Sequence, residues 1–176
     1  MEVREELLNI AEISIGIAGF SGVIAAFLQS GGLHPLDRIR FVMLFAMSFA
    51  TLVLAYVPIV VSQFLDEAPQ IWAWSSGVMI AVWIASVGSA FYFLIPELKK
   101  STDQGNLPGA LLWGPSFLNL AVQALNAGGW LWAPGFVAYL FGLFVYLYAS
   151  GLMFVLVIMF RPTDLAADRV DDADGA

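Results

Sequence analysis

Ser116, Asn119, Gln123 and Asn126 lie three, four and three residues apart in "SFLNLAVQALN". On a helix turning about 100° per residue they fall within an arc of roughly 80°. Leu118, Leu120, Val122 and Leu125 take the other faces. Amides turned toward lipid are costly, because nothing there returns a hydrogen bond. The stripe must therefore face other helices or water. Facing helices, it is interhelical glue, a contact that averages about 0.6 kcal/mol in one well-studied system. Facing water, it lines a path for a small solute or ion. The stripe runs over more than two turns, where one amide would suffice for a contact.

Glu12, in "NIAEISIGIAG", is the acidic residue set inside an apolar run. A carboxylate at such a place is expensive and marks a functional-site hypothesis. With the N-terminus outside, Glu12 lies about six residues outward of the middle of its run. Asn126 lies equally far outward in its own, so both stand roughly 9 Å above the midplane at 1.5 Å per residue. The two are expected to be able to meet, with Gln123 one turn deeper. The alternative leaves Glu12 near the interface, reaching toward Arg4.

The elements that carry these residues follow from composition. Only 12% of the 176 residues are charged, and the mean hydropathy is +0.84. A soluble domain is nearer a quarter charged. Five apolar runs cover about 7–28, 40–64, 71–95, 110–131 and 136–160, each long enough for a core roughly 30 Å thick. Long unbroken runs predict helices and exclude the short alternating strands of a barrel. The expected fold is an all-α integral membrane protein. Residues 1–162 form one compact bundle of five spans with short loops, and 163–176 form a short, acidic, disordered tail.

Orientation follows from lysine and arginine. Arg38, Arg40, Lys99, Lys100, Arg161 and Arg169 fall on one side if the N-terminus is outside and the C-terminus cytoplasmic. Arg4 is left on the other. Trp72, Trp74, Trp130 and Trp132 then stand at the outer ends of spans three and four, as interfacial belt residues do. An aromatic ligand cage is the sharper reading of the same residues.

Small residues predict close helix packing. Asn9, Glu12, Gly16 and Gly19 share one face of span one, and Gly22 belongs to a second ridge. Gly135, Ala138, Gly142 and Ala149 share one face of span five. Ser75, Ser86 and Ser89 do so on span three. Ser48 and Thr51 are expected to bond back to their own helix. Pro58 predicts a kink in span two.

Several chemistries are excluded or unsupported. No cysteine offers a disulfide or a thiolate, and the lone histidine, His34, sits in a loop. No metal-ligand cluster, nucleophile–base pair or phosphate loop is visible. "GIAGFSG" lies inside a span and is a packing surface. No enzyme activity, cofactor or metal is therefore expected. The net charge of −7 excludes a basic nucleic-acid surface. The first functional expectation is a homo-oligomeric ion channel or transporter-like pore in a cell membrane, multi-pass, of the bacterial inner-membrane kind. Asn119, Gln123 and Asn126 would line it, and Glu12 would attract a small cation. The alternative is a structural or accessory subunit whose ridges dock a membrane-protein partner. A third reading places a lipid or hydrophobic ligand in an aromatic outer pocket.

Overall fold

A computed structural model of the chain describes residues 2–28, 35–98, 107–131 and 134–159. His34, Lys99, Lys100, Trp132, Arg161, Arg169 and the 163–176 tail lie outside the described residues. Among the described residues the structure is all-helical, with five helices and no strand: α1 Glu2–Leu28, α2 Pro35–Val61, α3 Ala68–Leu98, α4 Leu107–Ala127 and α5 Gly135–Met159.

The helix starts have local causes. Glu5 and Glu6 in the early turns of α1 favour the positive end of the helix dipole, which extends α1 upstream of its apolar run. Pro35 opens α2, Pro69 lies in the first turn of α3 and Pro108 in that of α4. Proline fits there because first-turn N–H groups have no helical acceptor. α4 ends in a Schellman cap. Gly129 takes φ +70, Trp130 N–H donates to Leu125 O at 3.0 Å, and Gly129 N–H to Asn126 O at 3.1 Å. This turn reverses the chain into α5.

Four helices contain stretches long and apolar enough to cross a membrane: Val3–Ile24, Arg40–Val61, Ala68–Gly88 and Gly135–Ile158. α4 is not one of the four, and three amides interrupt its apolar composition. Large apolar side chains are exposed on every helix, among them Phe20, Phe49, Ile84, Phe117 and Phe144. Water would oppose that surface, and lipid accepts it. The chain is built to be embedded in a membrane.

α5 is the hub. It packs against α1, α2, α3 and α4, whereas α1 touches only α2 and α5 among the described residues. α2, α3, α4 and α5 form a four-helix ring, and α1 lies outside it. α5 is accordingly 44% buried over its apolar stretch and α3 only 17%. Tyr139, Leu143 and Tyr146 of α5 meet Leu54 and Ala55 of α2, Met79 of α3 and Leu7, Ile10 and Ala11 of α1 in one core.

Pro58 lies within α2 as expected, and its consequence is specific. Proline has no N–H, so the carbonyl four residues back loses its helical donor. That carbonyl belongs to Leu54, and the Tyr139 hydroxyl donates to it at 2.7 Å. The break in α2 is thereby tied to α5. Thr51 bonds back to Met47 O at 2.8 Å, as its type predicts. Ser48 instead pairs with Ser150 of α5 at 2.6 Å. A facing hydroxyl on the neighbouring helix offered it a second partner. Arg40 Nη1 donates to Leu156 O in the last turn of α5, where free carbonyls collect.

Candidate functional site

The stripe on α4 faces α3 and α5. Asn119 and Gln123 are each 1% exposed and Asn126 is buried. Ser76 of α3 donates to Gln123 Oε1 at 2.7 Å, and Asn126 Nδ2 donates to Ser76 Oγ at 2.8 Å. Gln123 Nε2 donates twice, to Asn119 Oδ1 at 3.1 Å and to Ala138 O at 2.7 Å. Asn126 Nδ2 also donates to Gly135 O at 3.0 Å. A side-chain NH2 has two hydrogens. Those of Gln123 and Asn126 are both committed.

The small residues of α5 make this possible. A Cβ at Gly135 would stand 2.8 Å from Trp72 Cβ and 3.1 Å from Asn126 Oδ1. At Gly142 it would stand 2.7 Å from Gln123 Nε2 and 2.9 Å from Asn119 Oδ1, and would strike Met79 Sδ. With Ala138 between them, these glycines let the amides reach backbone carbonyls that larger side chains would cover. Gly22 faces Phe45 of α2 at ordinary contact distance. Gly16 and Gly19 have nothing within 4 Å of an added Cβ. Those two face away from the bundle.

Ser76 is the member of the network that sequence reasoning missed. The expected face of α3 ran through Ser75, Ser86 and Ser89, of which the Ser89 side chain lies outside the described residues. Ser75 is buried, and its hydroxyl has no partner among the described residues. Its neighbour, about 100° around the helix, takes the amides instead. The periodic signal chose Ser75, which shares a face with Ser86 and Ser89, but shared spacing along α3 does not say which face turns toward α4.

The lower end of the stripe meets a different environment. Ser116 is half-buried and, with Asn119, lines a narrow cavity inside the four-helix ring. Its volume is about 30 Å³, room for a water or two. Met43 and Met47 of α2 and Trp83 and Trp113 of the facing helices form much of its wall, and Tyr146 closes it from α5.

Glu12 is exposed on the face of α1 that carries Asn9, Gly16 and Gly19. It falls near the middle of Val3–Ile24, closer to the centre of its apolar stretch than its place in a 7–28 run implies. Among the described residues α1 and α4 make no close approach. The bundle does not bring Glu12 to Asn126, because α5 stands between their helices. Trp72 packs on Phe136 and Tyr139, whereas Trp74 and Trp130 are exposed in the manner of belt residues. Among the described residues no group of His, Cys, Asp or Glu could hold a metal ion.

No protein-family model, curated protein or solved structure matches the chain. Its function is read from the geometry of the bundle.

Proposed function

We propose that this protein is a non-catalytic structural or accessory subunit of a membrane complex, with five spans. The observation that carries this reading is the commitment of the amide stripe. Gln123 and Asn126 spend their hydrogens on Ser76, Asn119 and the α5 carbonyls of Gly135 and Ala138. A stripe built to conduct keeps its donors free for water or an ion. This one holds α3, α4 and α5 together, and so makes α4 the fifth span despite its three amides.

The outer surface supplies the partner's place. Glu12 and Asn9 are exposed beside Gly16 and Gly19 on α1. A carboxylate near the middle of an apolar stretch is not left to lipid. A membrane-protein partner, or a second copy of this chain, covers it. The N-terminus is placed outside and the C-terminus in the cytoplasm on the distribution of lysine and arginine. The setting is a cell membrane of the bacterial inner-membrane kind.

Exposure of Glu12 also favours a second reading. In a symmetric homo-oligomer, α1 could line a shared axis, with a ring of Glu12 carboxylates selecting a small cation. The path would then run between subunits and would not involve the α4 stripe.

The chain has no native cysteine, so single cysteines report access cleanly. Gln123→Cys, Asn126→Cys and Glu12→Cys are treated in liposomes with a water-soluble, membrane-impermeant thiol reagent. The subunit reading expects no modification at 123 or 126. Modification there would establish a water path along α4 and overturn it. Cation flux in liposomes, lost in Glu12→Gln, would select the subunit-axis pore.

A further inference from the structure

The face of α1 turned away from the bundle has a regular spacing. Asn9, Glu12, Gly16, Gly19, Val23 and Ala26 follow one another at three, four, three, four and three residues, and all six are exposed. Alternating threes and fours mark the a and d positions of a helix-pairing seam, whose period of 3.5 keeps one line of residues against a neighbouring helix. The packed side of α1 lies opposite. Leu7, Ser14 and Ser21, seven residues apart, are buried there. Both serines are served within the helix: Ser14 donates to Ile10 O at 2.8 Å and Ser21 to Ile17 O at 2.6 Å. The seam is the reverse. Nothing lies within 4 Å of a Cβ added at Gly16 or Gly19, so a second backbone has room to approach. Neither Asn9 nor Glu12 finds a hydrogen-bond or ion-pair partner for its side chain among the described residues.

We infer, on the reading of this chain as a subunit, that the seam receives a transmembrane helix of another protein that carries a lysine or arginine at the depth of Glu12. Charge decides the occupant. Glu12 stands near the middle of Val3–Ile24. An acidic side chain at that depth is expensive, and pairing with a basic one offsets the cost. This chain has no such base to offer. Arg4 and Arg40 stand at the ends of their apolar stretches, and the other Lys and Arg residues lie outside all four. A second copy in the same orientation would set Glu12 against Glu12. Its Arg4 would be eight residues away, about 12 Å along the helix axis. Asn9 adds direction to the pairing. It takes an a position, where an amide fixes the register of paired helices. Gly16 and Gly19 then set how closely the partner's backbone comes.

The test uses the full chain in liposomes with a synthetic transmembrane peptide as probe. The peptide is a leucine–alanine helix of about 22 residues, with alanine at a and d and one central lysine. A donor dye on the peptide and an acceptor on Gln63→Cys, in the connection between α2 and α3, report association by energy transfer. The expected result is saturable transfer with the lysine peptide. Association should be about tenfold weaker when that lysine is leucine, and again when the chain carries Glu12→Gln. Gly19→Leu fills the seam without touching the charge and should weaken association as well. Equal association of the lysine and leucine peptides would overturn the proposal, and so would the absence of saturable transfer. That comparison needs no change at the seam, so it stands even if a seam variant does not fold. Gly16→Cys reports the other occupant. Ready disulfide formation between chains in liposomes without peptide would mean that a second copy covers the seam, and would overturn the basic helix. None of these results bears on thiol access at 123 and 126, so the subunit reading stands or falls separately.

Discussion

Gln123 and Asn126 share a face of α4 with Ser116 and Asn119, yet the surroundings of the two pairs differ. Around the first pair, Ser76 on α3, two carbonyls on α5 and the Asn119 carbonyl oxygen accept all four amide hydrogens, and Ser76 donates to Gln123 in return. Around the second, the helices part and leave a cavity. The difference lies in what faces the stripe. Opposite Gln123 and Asn126, α5 presents Gly135, Ala138 and Gly142, and its backbone comes within reach. Opposite Ser116 it presents Val145, Tyr146 and Ala149, and α2 adds two methionines; Asn119 stands at the boundary, its Oδ1 beside Gly142 and its side chain on the cavity wall. The chemistry of a polar stripe inside a membrane bundle is thus set by the size of the residues across from it. The stripe is bonded across the helices beside glycine and borders a small void beside tyrosine.

The largest effect should come from closing the gap that the glue needs. In Gly142→Ala the new methyl meets Gln123 Nε2, Asn119 Oδ1 and Met79 Sδ at once. Neither amide can withdraw without giving up a bond. A loss of about 3 kcal/mol or more is expected, from overpacking together with orphaned amides. Thermal unfolding in detergent would measure it. Gly16→Ala is the matching control, because nothing lies within 4 Å of the added carbon. Helix propensity alone should make that change neutral or stabilising by about 0.5–1 kcal/mol. Similar losses in both variants would remove the distinction between the packed α5 ridge and the open α1 ridge.

A smaller effect should grade the stripe itself. Gln123→Leu removes bonds to Ser76, Asn119 and Ala138, and leaves their partners unserved. About 2 kcal/mol is expected. Asn119→Leu removes one full hydrogen bond and one weak sulfur contact. About 1 kcal/mol is expected there. Equal costs, by denaturant titration in mixed micelles, would break the division into a closed and an open half.

Much of this arrangement was legible in the residues. The five apolar runs anticipate the five helices, because a 20-residue apolar stretch has few other uses. The i, i+3, i+7, i+10 spacing of Ser116, Asn119, Gln123 and Asn126 puts them on one face, because helix geometry leaves no alternative. What faces that stripe was not legible. Periodicity within a helix fixes relative angles, and the choice between Ser75 and Ser76 depends on how α3 is rotated against α4. The meeting of Glu12 with Asn126 failed for a related reason. Equal height in a bilayer says nothing about which helix stands between, and the hub position of α5 follows from packing over the whole ring. The Leu54 carbonyl is an intermediate case. Pro58 tells from sequence alone that this carbonyl is without its helical donor. It does not tell that Tyr139 will supply one.

That last contact sets up the finest comparison. Tyr139 and Tyr146 lie seven residues apart on α5, both buried in the core, and differ in what the hydroxyl finds. Tyr139 donates to Leu54 O at 2.7 Å, and Tyr146 reaches no partner among the described residues. Removing the first hydroxyl orphans a carbonyl that Pro58 has already stripped of its donor. Tyr139→Phe should therefore cost about 1–3 kcal/mol. Removing the second orphans nothing. Tyr146→Phe should lie within about 0.5 kcal/mol of wild type, or be slightly stabilising. Unfolding of the two variants side by side measures both. A clear loss in Tyr146→Phe would mean that its hydroxyl is already engaged. A neutral Tyr146→Phe leaves that hydroxyl as a group the fold does not need.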